Sequence, residues 1–326
     1  ICLGLELGLI GQETTGVGGF AKALRTIPEV LKLAERIRRS CPDAWILNFT
    51  NPSGMVTEAL TRHGVERVVG LCNVPIEMHI EIAEALGRSV SDVTLDWVGL
   101  NHLGWVRRVL VDGRDVLPGI LDDIEAQIEG PANLPELRYP PGFLRALGAL
   151  PSSYVRFFYA EGEMRSQLEG KSRSRAQEVM EIEAQLLKAY SDDTVRTLPS
   201  ALSERGGAWY SRLAVEVVGA LQRDTPSVHI VNTTNGASIE GLWSDAVVEV
   251  PCELSSSGVV PINCGSVDPT LLGLMASVKA YERHGIDAAL GSDRHAAFKA
   301  LISHPLVPDA STAHHVLERL ILRGLI

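Results

Sequence analysis

Two short stretches of this chain each end on a side chain able to bind a metal. Val69-Gly70-Leu71-Cys72-Asn73 closes one apolar run, and Trp97-Val98-Gly99-Leu100-Asn101-His102 closes the next. If both runs are parallel strands of an α/β sheet, the thiol and the imidazole point into the crevice at the strand C-terminal ends, where ligands bind. A soft sulfur and a borderline nitrogen together suit a divalent transition metal. A plainer reading competes with this one. Buried free cysteine behaves as a small hydrophobe, and a histidine after a strand is often only a hydrogen-bonded loop residue. The surroundings have to decide.

Those surroundings alternate. Ile27 to Arg39 reads as a helix with Pro28 near its first turn, Ala44 to Phe49 as a buried strand, and Asn51-Pro-Ser-Gly54 as a break. A helix from Met55 to His63, a strand at Val68–Leu71, a helix at Ile76–Leu86 and a strand at Val93–Gly99 follow. This β-α-β-α-β order predicts an α/β, Rossmann-like doubly wound parallel sheet. After Trp105 the pattern changes: a hairpin around Asp112-Gly113, an irregular stretch over Pro131–Pro151, and helices at about Ser174–Tyr190 and Ala208–Arg223. Strands at Ser227–Asn232 and Ala246–Val250 then precede helices at Pro269–Arg283, Asp287–Ile302 and Ser311–Leu322. Two parts of one compact unit are expected, residues 1–105 and a mixed α+β part over 106–326.

The 326 residues, 45% of them hydrophobic, are enough to bury a large core. A net charge of −10 argues against nucleic-acid or anionic-membrane partners. No apolar run approaches the roughly 18–20 residues that span a bilayer. Five widely spaced cysteines suggest reduced thiols and a cytoplasmic protein. The start on Ile1 suggests a processed or fragmentary N-terminus.

Other motifs carry weaker signals. Gly16-Val-Gly18-Gly19-Phe-Ala21 matches a dinucleotide fingerprint in letters, but polar residues precede it where a buried strand is needed, and it reads as a flexible loop. Asn48-Phe-Thr50-Asn51-Pro52 offers polar contacts for a ribose, a nicotinamide or a sugar hydroxyl, or else caps a helix. Tyr154-Val-Arg-Phe-Phe-Tyr159 concentrates aromatics in a chain with only 5% of them. A tyrosine can act as a base where a cation lowers its pKa. The run Lys171–Arg175 at a helix start is a solvated terminus or a phosphate site.

Taken in order, Gly-Gln12-Glu13-Thr-Thr-Gly, Asn48-Phe-Thr-Asn51-Pro, Gly-Leu-Cys72-Asn73, Gly-Leu-Asn101-His102, Arg-Gly-Gly-Ala-x-Tyr210-Ser and Val-Glu-Val-Pro251-Cys252 resemble glycoside hydrolase family 4 over essentially the whole chain. The Tyr154–Tyr159 stretch is similar to the 6-phospho-β-glucosidase branch. The resemblance implies an NAD- and Mn²⁺-dependent hydrolase of phosphorylated disaccharides or glycosides, outside the two-carboxylate scheme. NAD would oxidise the sugar at C3, the metal would polarise the C2 and C3 oxygens, and a tyrosine would remove the acidified C2 proton as the C1 group leaves. Water would then add and C3 be reduced again. By motif position, Cys72 and His102 are implied metal ligands and Tyr154 the base. Glu13 and Thr50 are implied on the cofactor side, with Asn51, Asn73 and Arg175 on the substrate. Residues 1–105 would then be the remainder of an NAD-binding domain whose phosphate-binding turn lies upstream of Ile1. Residues 106–326 would resemble the C-terminal domains of lactate and malate dehydrogenases, and a homodimer or homotetramer is expected. An α-specific enzyme of the family, a 2-hydroxyacid dehydrogenase and an inactive truncated homologue remain alternatives.

Overall fold

The computed structural model describes residues 1–124, 137–171, 173–205 and 209–326. Part of the irregular stretch over 131–151, residue 172 of the basic run, and residues 206–208 of the Arg-Gly-Gly-Ala motif lie outside these.

The first long helix, α1 (Gly16–Ser40), begins well before the expected start, and Pro28 lies inside it. The glycine-rich segment expected to be a flexible loop is its buried first turns. Close packing explains this: a Cβ at Gly18 would stand 2.0 Å from the Gln12 carbonyl oxygen, and one at Gly19 would stand 2.6 Å from that of Thr14. Glycine here lets the preceding segment fold back against the helix.

The expected alternation follows with β1 (Ile46–Asn48), α2 (Ser53–Arg62), β2 (Val68–Gly70) and α3 (Asn73–Ala85), and β1 and β2 are parallel. The next strand departs from it. β3 (Val93–Leu100) turns straight into β4 (Leu103–Val111), with Leu100 paired to Leu103. Asn101 and His102 alone connect them, and two residues permit only an antiparallel return, since a parallel crossover needs a dozen or more. His102 therefore sits at a hairpin tip and not at the end of a third parallel strand. The alternation Val93-Thr-Leu95-Asp-Trp97, with Thr94 exposed and Asp96 half-buried, is the mark of an antiparallel strand with one wet face, and only the last four residues are buried without alternation.

β5 (Arg114–Asp115) closes the expected turn around Asp112-Gly113, and β6 (Leu150–Pro151) lies along β4. Helices α4 (Arg175–Tyr190) and α5 (Tyr210–Ala220) precede β7 (Ser227–Thr234), β8 (Val247–Ser255) and β9 (Gly258–Pro261). Among the described residues these strands form one mixed sheet in the order β1-β2-β7-β8-β3-β4-β5, with β6 on β4 and β9 on β8. The sheet runs unbroken through residue 105.

Helix α6 (Pro269–Gly291) is continuous where two helices were expected, followed by α7 (Arg294–Ser303) and α8 (Ala310–Leu322). Gly285 explains the continuity: it is buried, and a Cβ there would come within 2.6 Å of Met55 Cε, so the glycine serves helix contact and not a break. The α/β class holds, with α1, α2 and α6 packed on the sheet around Phe20, Met55, Leu60, Val98 and Tyr281.

Pairing aligns one row across the strands: Asn48 with Gly70, Gly70 with Asn232, Asn232 with Glu249, and Glu249 with Gly99. Gly70 must be small, because its Cβ would meet Thr57 Oγ1 at 2.3 Å and Asn232 Cβ at 2.9 Å. All five cysteines are free thiols. Among the described residues no helix is long and apolar enough to cross a membrane.

Candidate active site

The hairpin tip holds His102 in the left-handed region, at φ 61°. Histidine tolerates this better than most residues, yet it remains a strained conformation of the kind that clusters at functional sites. The imidazole is buried, and burial together with the nearby Lys22 ammonium on α1 lowers its pKa to about 3. It is therefore neutral at physiological pH, the form that binds metals.

Strand register then brings in Tyr154. Val106 pairs with Leu150 and Trp105 with Pro151, and the Ser152 N–H donates to the Gly104 carbonyl at 2.9 Å. Continuing this pairing toward the tip places Tyr154 opposite His102. The two rings stack with centroids 4.0 Å apart and planes 7° from parallel. Tyr159 turns away and packs edge-on against Phe143 at 5.2 Å.

Cys72 is the N-cap of α3, and Asn73 is that helix's first residue. The thiol is fully buried. Burial and the Glu249 carboxylate raise its pKa well above the ordinary value, while the Val74 backbone N–H and the Asn101 amide pull it down by less. Left alone the group is a thiol. A cation beside it would favour the thiolate. Asn101 joins this group to the hairpin tip: its amide leans on the Cys72 sulfur, it donates to Glu249 Oε1 at 3.3 Å, and its neighbour in sequence is His102.

The loop after β1 closes the same region. A Cβ on Gly54 would lie 3.3 Å from that of Asn101, so the start of α2 abuts the tip. Asn48 is scaffold: its Nδ2 donates to the Thr50 and Ser53 carbonyls and to Thr57 Oγ1, and its Oδ1 accepts from the Thr50 N–H at 3.0 Å. Asn51 Oδ1 accepts from the Ser53 N–H at 3.3 Å, and its amide nitrogen is uncommitted to any described bond. Thr50 is exposed beside it, and Phe49 meets Tyr210 edge-on at 5.1 Å.

Two expected site residues stand on other elements. Glu13 lies in the half-buried turn that leads into α1, where Gln12 Oε1 accepts from the Glu13 and Thr14 N–H groups. Arg175 is the first residue of α4, behind a Ser174–Gln177 capping box, and donates to Glu178 Oε2 at 3.2 Å and to the Glu204 carbonyl at 2.9 Å. Neither is tied by a described contact to the Cys72–His102 group. Conversely, sequence reasoning gave no role to Glu249, Asn232 or Lys22, although Glu249 lies within the Val-Glu-Val-Pro251-Cys252 motif. Glu249 left a signal, as a lone acid inside the apolar run Val247-Val-Glu-Val-Pro-Cys252, where an unpaired charge is seldom buried.

Comparison with known proteins decides the family. The family 4 glycosyl hydrolase model matches residues 1–88, and the family 4 glycosyl hydrolase C-terminal domain matches residues 97–307. The chain belongs to glycosyl hydrolase family 4. This family 4 chain is 39% identical to the 6-phospho-beta-glucosidase BglT of Thermotoga maritima, across 97% of its own length and 75% of that relative's. Identity to the phospho-alpha-glucosidase PagL of Clostridium acetobutylicum is 30%, over 98% of this chain and 75% of the relative. The solved 6-phospho-beta glucosidase of Thermotoga maritima with manganese, NAD⁺ and glucose-6-phosphate superposes with a TM-score of 0.87 at 37% identity, covering 99% of this chain and 76% of that one.

The donor set could hold a divalent transition metal. A neutral imidazole and a thiol that needs a cation to ionise stand on either side of Asn101, and among the described residues no third His, Cys, Asp or Glu completes a closed cage. An ion held there by so few protein ligands would keep positions open for substrate oxygens, as catalytic sites do.

Proposed function

We propose that this family 4 chain hydrolyses 6-phospho-β-glucosides in an NAD- and divalent-metal-dependent reaction, with Cys72 and His102 as metal ligands and Tyr154 as the base at sugar C2. The observation that carries the reading is the Tyr154 ring laid flat on His102, beside the Asn101 that leans on Cys72. When bound, NAD supplies a hydride acceptor for C3, and the divalent ion supplies Lewis-acid polarisation and a field that lowers a neighbouring phenol's pKa from about 10.

The chain's own residues do the rest. Stacking on His102 fixes the Tyr154 ring, so that its phenolic oxygen can take the C2 proton without first reorienting. Asn51 and Asn73, at the starts of α2 and α3, are proposed to orient sugar hydroxyls. Arg175 is proposed to pair with the 6-phosphate, and Glu13 and Thr50 to face the cofactor. A division into a cofactor part over 1–105 and a substrate part over 106–326 is proposed on the same footing, although the sheet crosses it. An assembly of two or four copies is proposed too, supported by the exposed apolar side chains Met180, Leu187 and Tyr190 along α4.

Higher identity to the β-acting relative than to the α-acting one favours the β-anomer. Release of p-nitrophenol from its 6-phospho-β-glucoside tests the reading, assayed with and without NAD⁺ and Mn²⁺ and against the 6-phospho-α-glucoside. Turnover of the β-anomer that needs both additions is expected. Turnover without either would refute it, and metal uptake with no turnover would point to an inactive homologue.

A further inference from the structure

Glu249 lies near the start of β8, only 1% exposed, in the row where β2, β7, β8 and β3 align. Two amides converge on one of its oxygens: Asn232 Nδ2 donates to Oε1 at 2.9 Å and Asn101 Nδ2 at 3.3 Å. Packing does not require an acid here. An apolar side chain of similar volume would fill the space without the desolvation penalty of a buried carboxyl. Nor does it join Cys72 and His102 in a three-ligand cluster. What Glu249 supplies is a fixed acceptor. An asparagine amide rotates broadly about its last torsion. With one Nδ2 hydrogen committed to Glu249, the Asn101 amide is held in place and its second hydrogen is available to the Cys72 sulfur on which it leans.

We propose that Glu249 is a positioning residue for Cys72, acting through Asn101. The inference rests on the reading of Cys72 and His102 as metal ligands. Groups that hold a metal's ligands in place affect its affinity about 10–100-fold when removed.

Cobalt titration of the full chain tests this without turnover, because a thiolate-to-cobalt charge-transfer band reports the sulfur–metal bond directly. Cys72→Ser identifies the band. Glu249→Leu should weaken Co²⁺ binding about 10–100-fold, while Glu249→Gln, whose amide oxygen can accept the same two N–H bonds, should stay within about threefold of wild type. Wild-type affinity and an unchanged band in Glu249→Leu would overturn the proposal, as would equal losses in both variants. If Glu249→Leu does not fold, Asn101→Ala takes its place, with the same loss expected and wild-type binding as the refuting result. A wild-type chain with no Cys72-dependent band would instead overturn the metal-site reading itself.

Discussion

Two groups of buried titratable side chains meet at Gly54, where a Cβ would lie 3.3 Å from both Asn101 Cβ and Glu282 Oε1. In the first, the Lys279 ammonium is wholly buried between two carboxylates, 3.0 Å from Glu58 Oε2 and closer still to Glu282 Oε2. The Val247 N–H adds a bond to Glu58, and Arg283 stands 3.7 Å from its other oxygen. Burial alone would lower the lysine's pKa, but Glu282 and Glu58 overcome it and raise it. Charge answers charge within the chain, and the group ties α2 to α6. The second group has no such closure. Cys72 is held as a thiol, His102 is held neutral, and no described hydrogen bond from the chain reaches either imidazole nitrogen. The contrast teaches how to separate structural from functional burial. A network whose charges pair within the chain, with only Glu58 Oε1 lacking a hydrogen bond, needs no further ion, whereas one that suppresses its charges and leaves donors open is shaped for a partner from outside.

Perturbing each group should therefore fail in a different way. The largest effect is expected at the open one. Tyr154→Phe keeps the ring on His102 and removes only the hydroxyl, so kcat should fall about 10²–10⁴-fold with the folded state unchanged. Near-normal turnover would remove Tyr154 from the chemistry. In the closed group the loss is of stability. Lys279→Met strands two carboxylates and should cost about 3–5 kcal/mol in urea unfolding. A small change there would mean that the group is not the closed unit described.

A pH series sharpens the distinction further. Burial raises the Glu249 carboxyl to about 7 from its ordinary 4.5. Between those values the unfolded chain releases a proton that the folded chain keeps, so native stability drops as pH rises, by about 3 kcal/mol in all. Glu249→Gln should abolish this component, gaining on wild type from pH 4.5 to 7. His102 and His304, both lowered to about 3 by burial, act oppositely, removing stability as pH falls below 6.5, and do so equally in both proteins. Parallel stability curves would show that Glu249 titrates normally. The smallest effect is expected at Arg175. Its replacement by Gln should weaken glucose 6-phosphate binding by about 1.5–3 kcal/mol, as for loss of one charge-assisted contact. Unchanged binding by calorimetry would place the phosphate elsewhere.

Much of the open group was legible from residue types alone. Cys72, His102 and Tyr154 stand out because thiol, imidazole and phenol do chemistry that their apolar neighbours do not, and β1 and β2 follow from short apolar runs between helical segments. Four things were hidden. The partner of β3 was hidden because its direction is set by the two-residue turn at Asn101-His102, although the alternation over Val93–Trp97, with Thr94 exposed, was an available clue. The helical state of the Gly16–Ala21 segment and the continuity of α6 through Gly285 depend on contacts made by Gln12, Thr14 and Met55, far from any local propensity. Glu249 was hidden because its meaning lies in Asn101 and Asn232, brought to it only by strand register.

The central claim is that the C2–H bond of the sugar breaks during hydrolysis, with Tyr154 taking the proton. Hydrolysis of a 6-phospho-β-glucoside in D₂O, with NAD⁺ and Mn²⁺ present, tests it most directly by mass or NMR analysis of the glucose 6-phosphate released. A proton removed by a solvent-exchanging phenol is replaced from solvent, so deuterium at C2 of the product is predicted. Glucose 6-phosphate formed with its C2 hydrogen fully retained would contradict the account.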